Sequence, residues 1–267
     1  MVKTGLARTT INARVNKAKA FFRWCVGEEA VSPTVWHGLL AVRALRAGRT
    51  DAIEPDPVIP APIEHVNKVK ARVRRQVAAL IDLQLLTGAR PGELVGLRPI
   101  DLDTTGEIWL HTPAHHKTAH LQKRRTIYFG PKAQEILRQF LQRPVTACMF
   151  SPAEAMREFN QARHDDRRTP QSCGNNIGAN RVRTPMKQPG DHYTVQSYGQ
   201  AIRNACEALE IPVWSPNQLR HNAATRIRRE HGPEAAQIIL GHSHIQTTEI
   251  YAETAREKAL EVIQATG

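Results

Sequence analysis

Four short segments of this chain carry residues suited to handling a phosphate. The first is Thr87-Gly88-Ala89-Arg90-Pro91-Gly92-Glu93-Leu94. Arg90 follows a glycine break and precedes a helix start, with Glu93 three residues on and within reach of its guanidinium. An arginine pinned in this way either stabilises the helix start or aims a planar, permanently charged, two-pronged donor at a phosphate. The second segment is Lys117-Thr118, in a polar stretch between two strand-like runs. The third is Asn217-Gln218-Leu219-Arg220-His221, in which Asn217 and Arg220 share one helix face. The fourth is Leu240-Gly241-His242, followed nine residues later by Tyr251. Singly, each has an ordinary reading: a solvated lysine, a charged helix face, a histidine capping a helix end, a packed aromatic.

Taken together, in this order and at this spacing, the segments resemble the catalytic domain of the tyrosine recombinases, the phage integrase family, over about Ile63 to Gly267. The resemblance implies that Arg90 and Arg220 hold one phosphate, with Glu93 supporting Arg90. It makes His242 a donor to a nonbridging oxygen, Lys117 the proton donor to the leaving 5′ oxygen and Tyr251 the nucleophile. Asn217 stands where the family commonly has histidine. Asparagine can hydrogen-bond a phosphate oxygen but cannot accept and return a proton at neutral pH. The chemistry is coherent, because two arginines and a histidine offset the repulsion a phosphodiester anion offers a nucleophile and stabilise a pentavalent transition state. A tyrosine oxygen becomes a better nucleophile in so cationic a place.

The implied function is a site-specific recombinase or integrase that cuts and rejoins DNA through a 3′-phosphotyrosine. The alternatives are DNA relaxation of the type IB topoisomerase kind, or a non-catalytic DNA-binding remnant of a recombinase. No cofactor and no metal is implied, and the sequence has no phosphate-loop motif and no acidic cluster for paired magnesium ions. The expected partners are double-stranded DNA and further copies of the chain in a synaptic tetramer, with no membrane, and the expected location is the cytoplasm, at the nucleoid.

The expected fold is mainly α with a small antiparallel β-sheet (α+β). Helical spacing runs through residues 14–24 and again through 36–45, with Pro33 between. Residues 1–50 resemble part of the family's helical DNA-clamping domain, and the expectation is that this segment is incomplete, with Phe21, Phe22, Trp24, Trp36 and Leu40 short of cover. Residues 51–62, rich in Pro and Asp, read as a linker. Residues 63–267 read as the catalytic domain. Within it a helix over 76–87 ends at Gly88, and Pro91 begins another through 97. Strands fall at 107–112 and 124–129, and helices at 131–141 and 152–163. About 165–191 reads as a flexible insertion. Thr194 and Ser215-Pro216 start further helices, the second stopping at Gly232-Pro233. A short helix over 233–240 ends at Gly241, and helical sequence over 245–251 and 254–264 finishes the chain.

The 267 residues suffice for a substantial core, and a hydrophobic fraction of 41% excludes wholesale disorder. The net charge of +12 favours a polyanionic partner. Residues 1–50 supply nine Lys and Arg against two Glu, more than half of that charge. Cys25, Cys148, Cys173 and Cys206 form no Cys-x-x-Cys pair, so idle reduced thiols are expected rather than a disulfide framework or zinc ribbon. His111, His115, His116 and His120 cluster without acidic or cysteine companions, a weak basis for a metal site.

Overall fold

A computed structural model describes residues 1–113, 125–168 and 188–241. The chain divides into two compact units, Met1–Val58 and Ile59–Gly267.

In the first unit, α1 (Arg8–Gly27) and α2 (Pro33–Leu40) pack together. Ser32 caps α2 and Pro33 occupies its first position, the arrangement a Ser-Pro pair favours. The Asn12 side chain clasps Leu45, donating to its carbonyl and accepting from its N–H. Only Ile11, Cys25 and Ala52 are buried apolar residues here, while Phe21, Trp24 and Leu40 are exposed.

The second unit is built around α4 (Arg75–Thr87), flanked by α3 (Ile63–Arg72), α6 (Pro131–Arg138) and α9 (Pro216–Leu240), with α8 (Val195–Ala208) packed on α3 and α9. Val77, Leu80, Ile81 and Leu83 are buried on α4 together with Gln76, Ala79, Gln84 and Thr87, so more than half its circumference is covered, as expected of a helix enclosed on several sides. Pro91–Leu94 forms the short α5, and Pro152–Asp165 forms α7, capped by Ser151. A three-stranded antiparallel sheet of order β1-β2-β3 comprises Leu102–Asp103, Trp109–His111 and Ile127–Phe129. Trp109 pairs with Phe129 and His111 with Ile127, and all four face the interior. Tyr128, paired with Leu110, points out, the two-residue alternation of a sheet with one covered face.

The mainly α architecture with a small antiparallel sheet is the expected one. The helix at Pro91 ends at Leu94, shorter than expected, and β1 carries no strand signal of its own, since its two residues pair only because β2 lies beside them. Thr194 caps α8 by accepting from the Ser197 N–H at 3.0 Å. Ser215-Pro216 opens α9, and Gly232 breaks its helical geometry just before Pro233. Of the expected insertion at about 165–191, residues 169–187 lie outside the described residues, as do the helices expected at 245–251 and 254–264. Among the described residues no helix is long and apolar enough to cross a membrane.

Candidate active site

The turn carrying Arg90 is tied down from several directions. Thr87 Oγ1 donates to the Leu83 carbonyl at 2.6 Å and accepts from the Ala89 N–H at 3.2 Å. Gly88 ends α4 in the left-handed conformation, φ 64°. A Cβ there would fall well inside van der Waals distance of Leu240 Cδ2 and 3.4 Å from Ala223 Cβ, so α9 crosses tightly over this glycine. Gln84 Nε2 donates to the Ala89 carbonyl at 3.1 Å, and Gln84 Oε1 accepts from the Tyr198 hydroxyl at 2.9 Å. Both side chains are fully buried, so this chain of bonds from α8 fixes the backbone one residue before Arg90.

Arg90 then takes an extended backbone and Pro91 starts α5. Glu93 Oε2 accepts the Arg90 backbone N–H and Glu93 Oε1 accepts Arg90 Nη1, both at 2.8 Å. The carboxylate side chain is 6% exposed and that of Arg90 34%. Arg90 is thus held by a buried anion while a third of its side chain still meets solvent. Arg125, 4% exposed, places Nε 3.6 Å from the same Glu93 Oε1. Burial pushes the Glu93 carboxyl up. The Arg125 charge, the bonds from the Arg90 backbone and side chain, and the Arg90 charge more than offset this, so it lies below the ordinary carboxylate range.

Arg220 reaches the same turn from α9. Nη1 donates to the Gly88 carbonyl and Nη2 to the Leu240 carbonyl, each at 2.6 Å, and the residue is 5% exposed. It joins the end of α4 to the end of α9, satisfying carbonyls a helix terminus leaves open. Arg226 Nη2 does the same for α4, donating to Leu85 and Leu86 carbonyls at 3.0 and 3.3 Å. Asn222 pairs with both the N–H and the carbonyl of Ala61. Asn217 is exposed in the first turn of α9, three residues before Arg220.

The structure therefore brings Arg90, Glu93 and Arg220 to one turn although 130 positions separate the two arginines. Lys117, His242 and Tyr251 lie outside the described residues. The other three tyrosines are placed. Tyr193 and Tyr198 belong to the core, and burial pushes both phenols up, Tyr198 well above its usual 10. Tyr128 is exposed on β3.

Sequence reasoning missed Gln84, Tyr198, Arg125 and Arg226 as members of this assembly. A glutamine at an otherwise apolar α4 position was the available signal for Gln84. Arg125 and Arg226 sit among other basic residues, where a buried arginine has no mark in the sequence to set it apart from a solvated one. Among the described residues no three His, Cys, Asp or Glu side chains are grouped as a metal site would need. His111 turns Nδ1 to the Asp101 carbonyl at 3.0 Å.

The family model described as the phage integrase family matches residues 59–258. The tyrosine recombinase XerD of Ralstonia nicotianae is 27% identical over 259 residues, covering 94% of this chain and 70% of that protein. The tyrosine recombinase XerC of Mycobacterium bovis is 26% identical over 272 residues, covering 94% of this chain and 74% of that protein. In three dimensions the chain is similar to the Tn1549 transposon integrase in complex with a circular intermediate DNA (TM-score 0.61, 17% identity, 97% of this chain and 81% of that one). It is also similar to a lambda integrase dimer bound to a core site (TM-score 0.57, 13% identity, 91% of this chain and 73% of that one).

Proposed function

We infer the role of each residue from one premise: the chain belongs to the phage integrase family and is a site-specific DNA recombinase. Its partner is double-stranded DNA, on which copies of the chain assemble as a synaptic tetramer. Residues 1–50 form a helical DNA-clamping segment, 51–62 a linker and 63–267 the catalytic domain. Arg90 and Arg220 hold the scissile phosphate, and His242 donates to a nonbridging oxygen of it. Tyr251 attacks phosphorus, the bond to the 5′ oxygen breaks, and Lys117 protonates that oxygen as it leaves. The product is a 3′-phosphotyrosine and a free 5′-hydroxyl. Attack by the 5′-hydroxyl of another strand reverses the step and completes rejoining, with the bond energy kept in the ester throughout. Asn217 contributes a hydrogen bond to a phosphate oxygen; an amide cannot accept the phenolic proton, which passes to solvent water.

The observation that carries this reading is the convergence of Arg90 and Arg220 on the Gly88–Glu93 turn, with Glu93 holding Arg90 from behind. The burial of Tyr193 and Tyr198 in the core supports Tyr251 as the nucleophile. The test is covalent capture from a library of nicked duplexes of random sequence. The chain is expected to retain an SDS-resistant adduct at a 3′ end, and Tyr251→Phe to bind the captured duplex and form none. An adduct formed by Tyr251→Phe, or one at a 5′ end, would overturn the assignment.

A further inference from the structure

Arg125 stands just before β3, where the chain leaves the segment that contains Lys117. It is 4% exposed, so it is not a surface charge waiting for DNA. Its Nη1 donates to the Ile239 carbonyl at 2.6 Å, in the last turn of α9, and to the Thr126 carbonyl at 3.2 Å. Its Nε lies 3.6 Å from Glu93 Oε1, the oxygen that also accepts from Arg90. A Cβ on Gly241 would meet Arg125 Cδ and Nη1 at 3.1 Å, so the residue that ends α9, in the left-handed region, rests directly against this side chain. His242 follows at once in sequence.

We propose that Arg125 is a positioning residue for strand cleavage, its buried guanidinium tying the Glu93–Arg90 pair to the C-terminal end of α9, from which the chain runs on to His242 and Tyr251. This rests on the reading of Arg90, His242 and Tyr251 given above. An apolar side chain of similar length would fill the same space at lower desolvation cost, because Nε and Nη2 of Arg125 are buried and, among the described residues, no group lies within hydrogen-bond geometry of them. What a guanidinium supplies there is simultaneous contact with a carboxylate and a helix-end carbonyl. Through it, a displacement of the α9 terminus is felt at the carboxylate that holds Arg90. The groups whose charge acts on Glu93 are Arg125 and Arg90, and those whose charge acts on Arg125 are Glu93, Arg90 and, more weakly, Tyr128. Removing the Arg125 charge therefore makes Glu93 easier to protonate and frees Arg90 at a higher pH.

The test uses the full chain and a nicked duplex on which the wild type forms its adduct. Duplex affinity, the single-turnover rate of adduct formation and the pH profile of that rate are measured for Arg125→Met and Arg125→Lys. Arg125→Met is expected to keep the affinity, to lose at least about tenfold in rate through misplacement of reacting groups, and to shift its acid limb to higher pH. Arg125→Lys keeps a charge beside Glu93, so its acid limb stays in place while its rate falls. A merely structural arginine would leave the acid limb where it is. A wild-type rate or an unmoved acid limb in folded Arg125→Met overturns the proposal, as does a loss of affinity matching the loss of rate. If Arg125→Met does not fold, Arg125→Lys decides alone, and a wild-type rate in it overturns the proposal. Failure of the wild type to form any adduct, or an adduct in Tyr251→Phe, instead overturns the functional reading and this inference with it.

Discussion

Replacing Gly88 by alanine strikes the point where α4, α9 and the Arg90 turn meet. Two costs arise. The first is conformational: Gly88 has φ 64°, and an L-residue forced there loses about 1–2 kcal/mol. The second is steric. The new methyl group would collide with Leu240 Cδ2, the end of a side chain that is itself fully buried with Ala224, Ile227 and Ala236. Leu240 cannot swing into solvent, so α9 must shift, an overpacking cost of about 1–3 kcal/mol. The sum is about 2–5 kcal/mol, a large share of an ordinary domain's stability. A double-mutant cycle separates the two parts. With the Leu240 side chain removed by Leu240→Ala, the collision disappears and Gly88→Ala should cost only about 1–2 kcal/mol. The assay is urea unfolding followed by tryptophan fluorescence, with Trp24 and Trp36 replaced by Phe so that the buried Trp109 and Trp214 report on the second unit alone. Equal costs for Gly88→Ala in the two backgrounds would show that α9 does not press on Gly88, and the account of how Arg220 reaches this turn would fall with it.

Two further outcomes follow from the same assembly. Tyr198→Phe leaves Gln84 Oε1 buried without its donor, so unfolding should come about 1–3 kcal/mol earlier and adduct formation should slow as the Ala89–Arg90 backbone loosens, whereas an unchanged urea midpoint would refute the bond. Glu93 has its carboxyl lowered on folding, so the stability it contributes is present above the unfolded carboxylate pKa and is lost as pH falls through the folded one; Glu93→Gln should flatten that part of the acid unfolding curve, and a curve parallel to the wild type would refute the ion pairing.

How much of this could be read in advance depends on how far apart the partners lie. The Arg90–Glu93 bonds span three residues, and the Thr194 and Ser215 starts of α8 and α9 are equally local, so residue types at fixed offsets expose them. The α4 helix was legible because its apolar residues are dense and Gly88 ends it. The small sheet was legible in its two aromatic-rich strands and illegible in β1, whose two residues carry no pattern of their own. The early end of α5 did carry a local signal, Gly96 just past the Val95 cap, but the apolar spacing that continues to Leu97 masked it.

Four further bonds join positions more than a hundred residues apart: Arg125 to Ile239, Tyr198 to Gln84, Arg220 to Gly88 and Arg226 to Leu85. In a chain with 37 Lys and Arg, an arginine bound to a distant backbone carbonyl looks the same as one bathed in water. Carbonyls add nothing to the sequence pattern, because every residue has one. The distinction is made only when α9 lies across the end of α4 and its guanidinium groups find carbonyls that a helix terminus leaves open. Arg220 could be singled out beforehand because a family resemblance named it. Arg125, with the same kind of long-range bond and the same burial, had no such pointer, and only its contacts with Glu93 and Ile239 separate it from the basic residues around it.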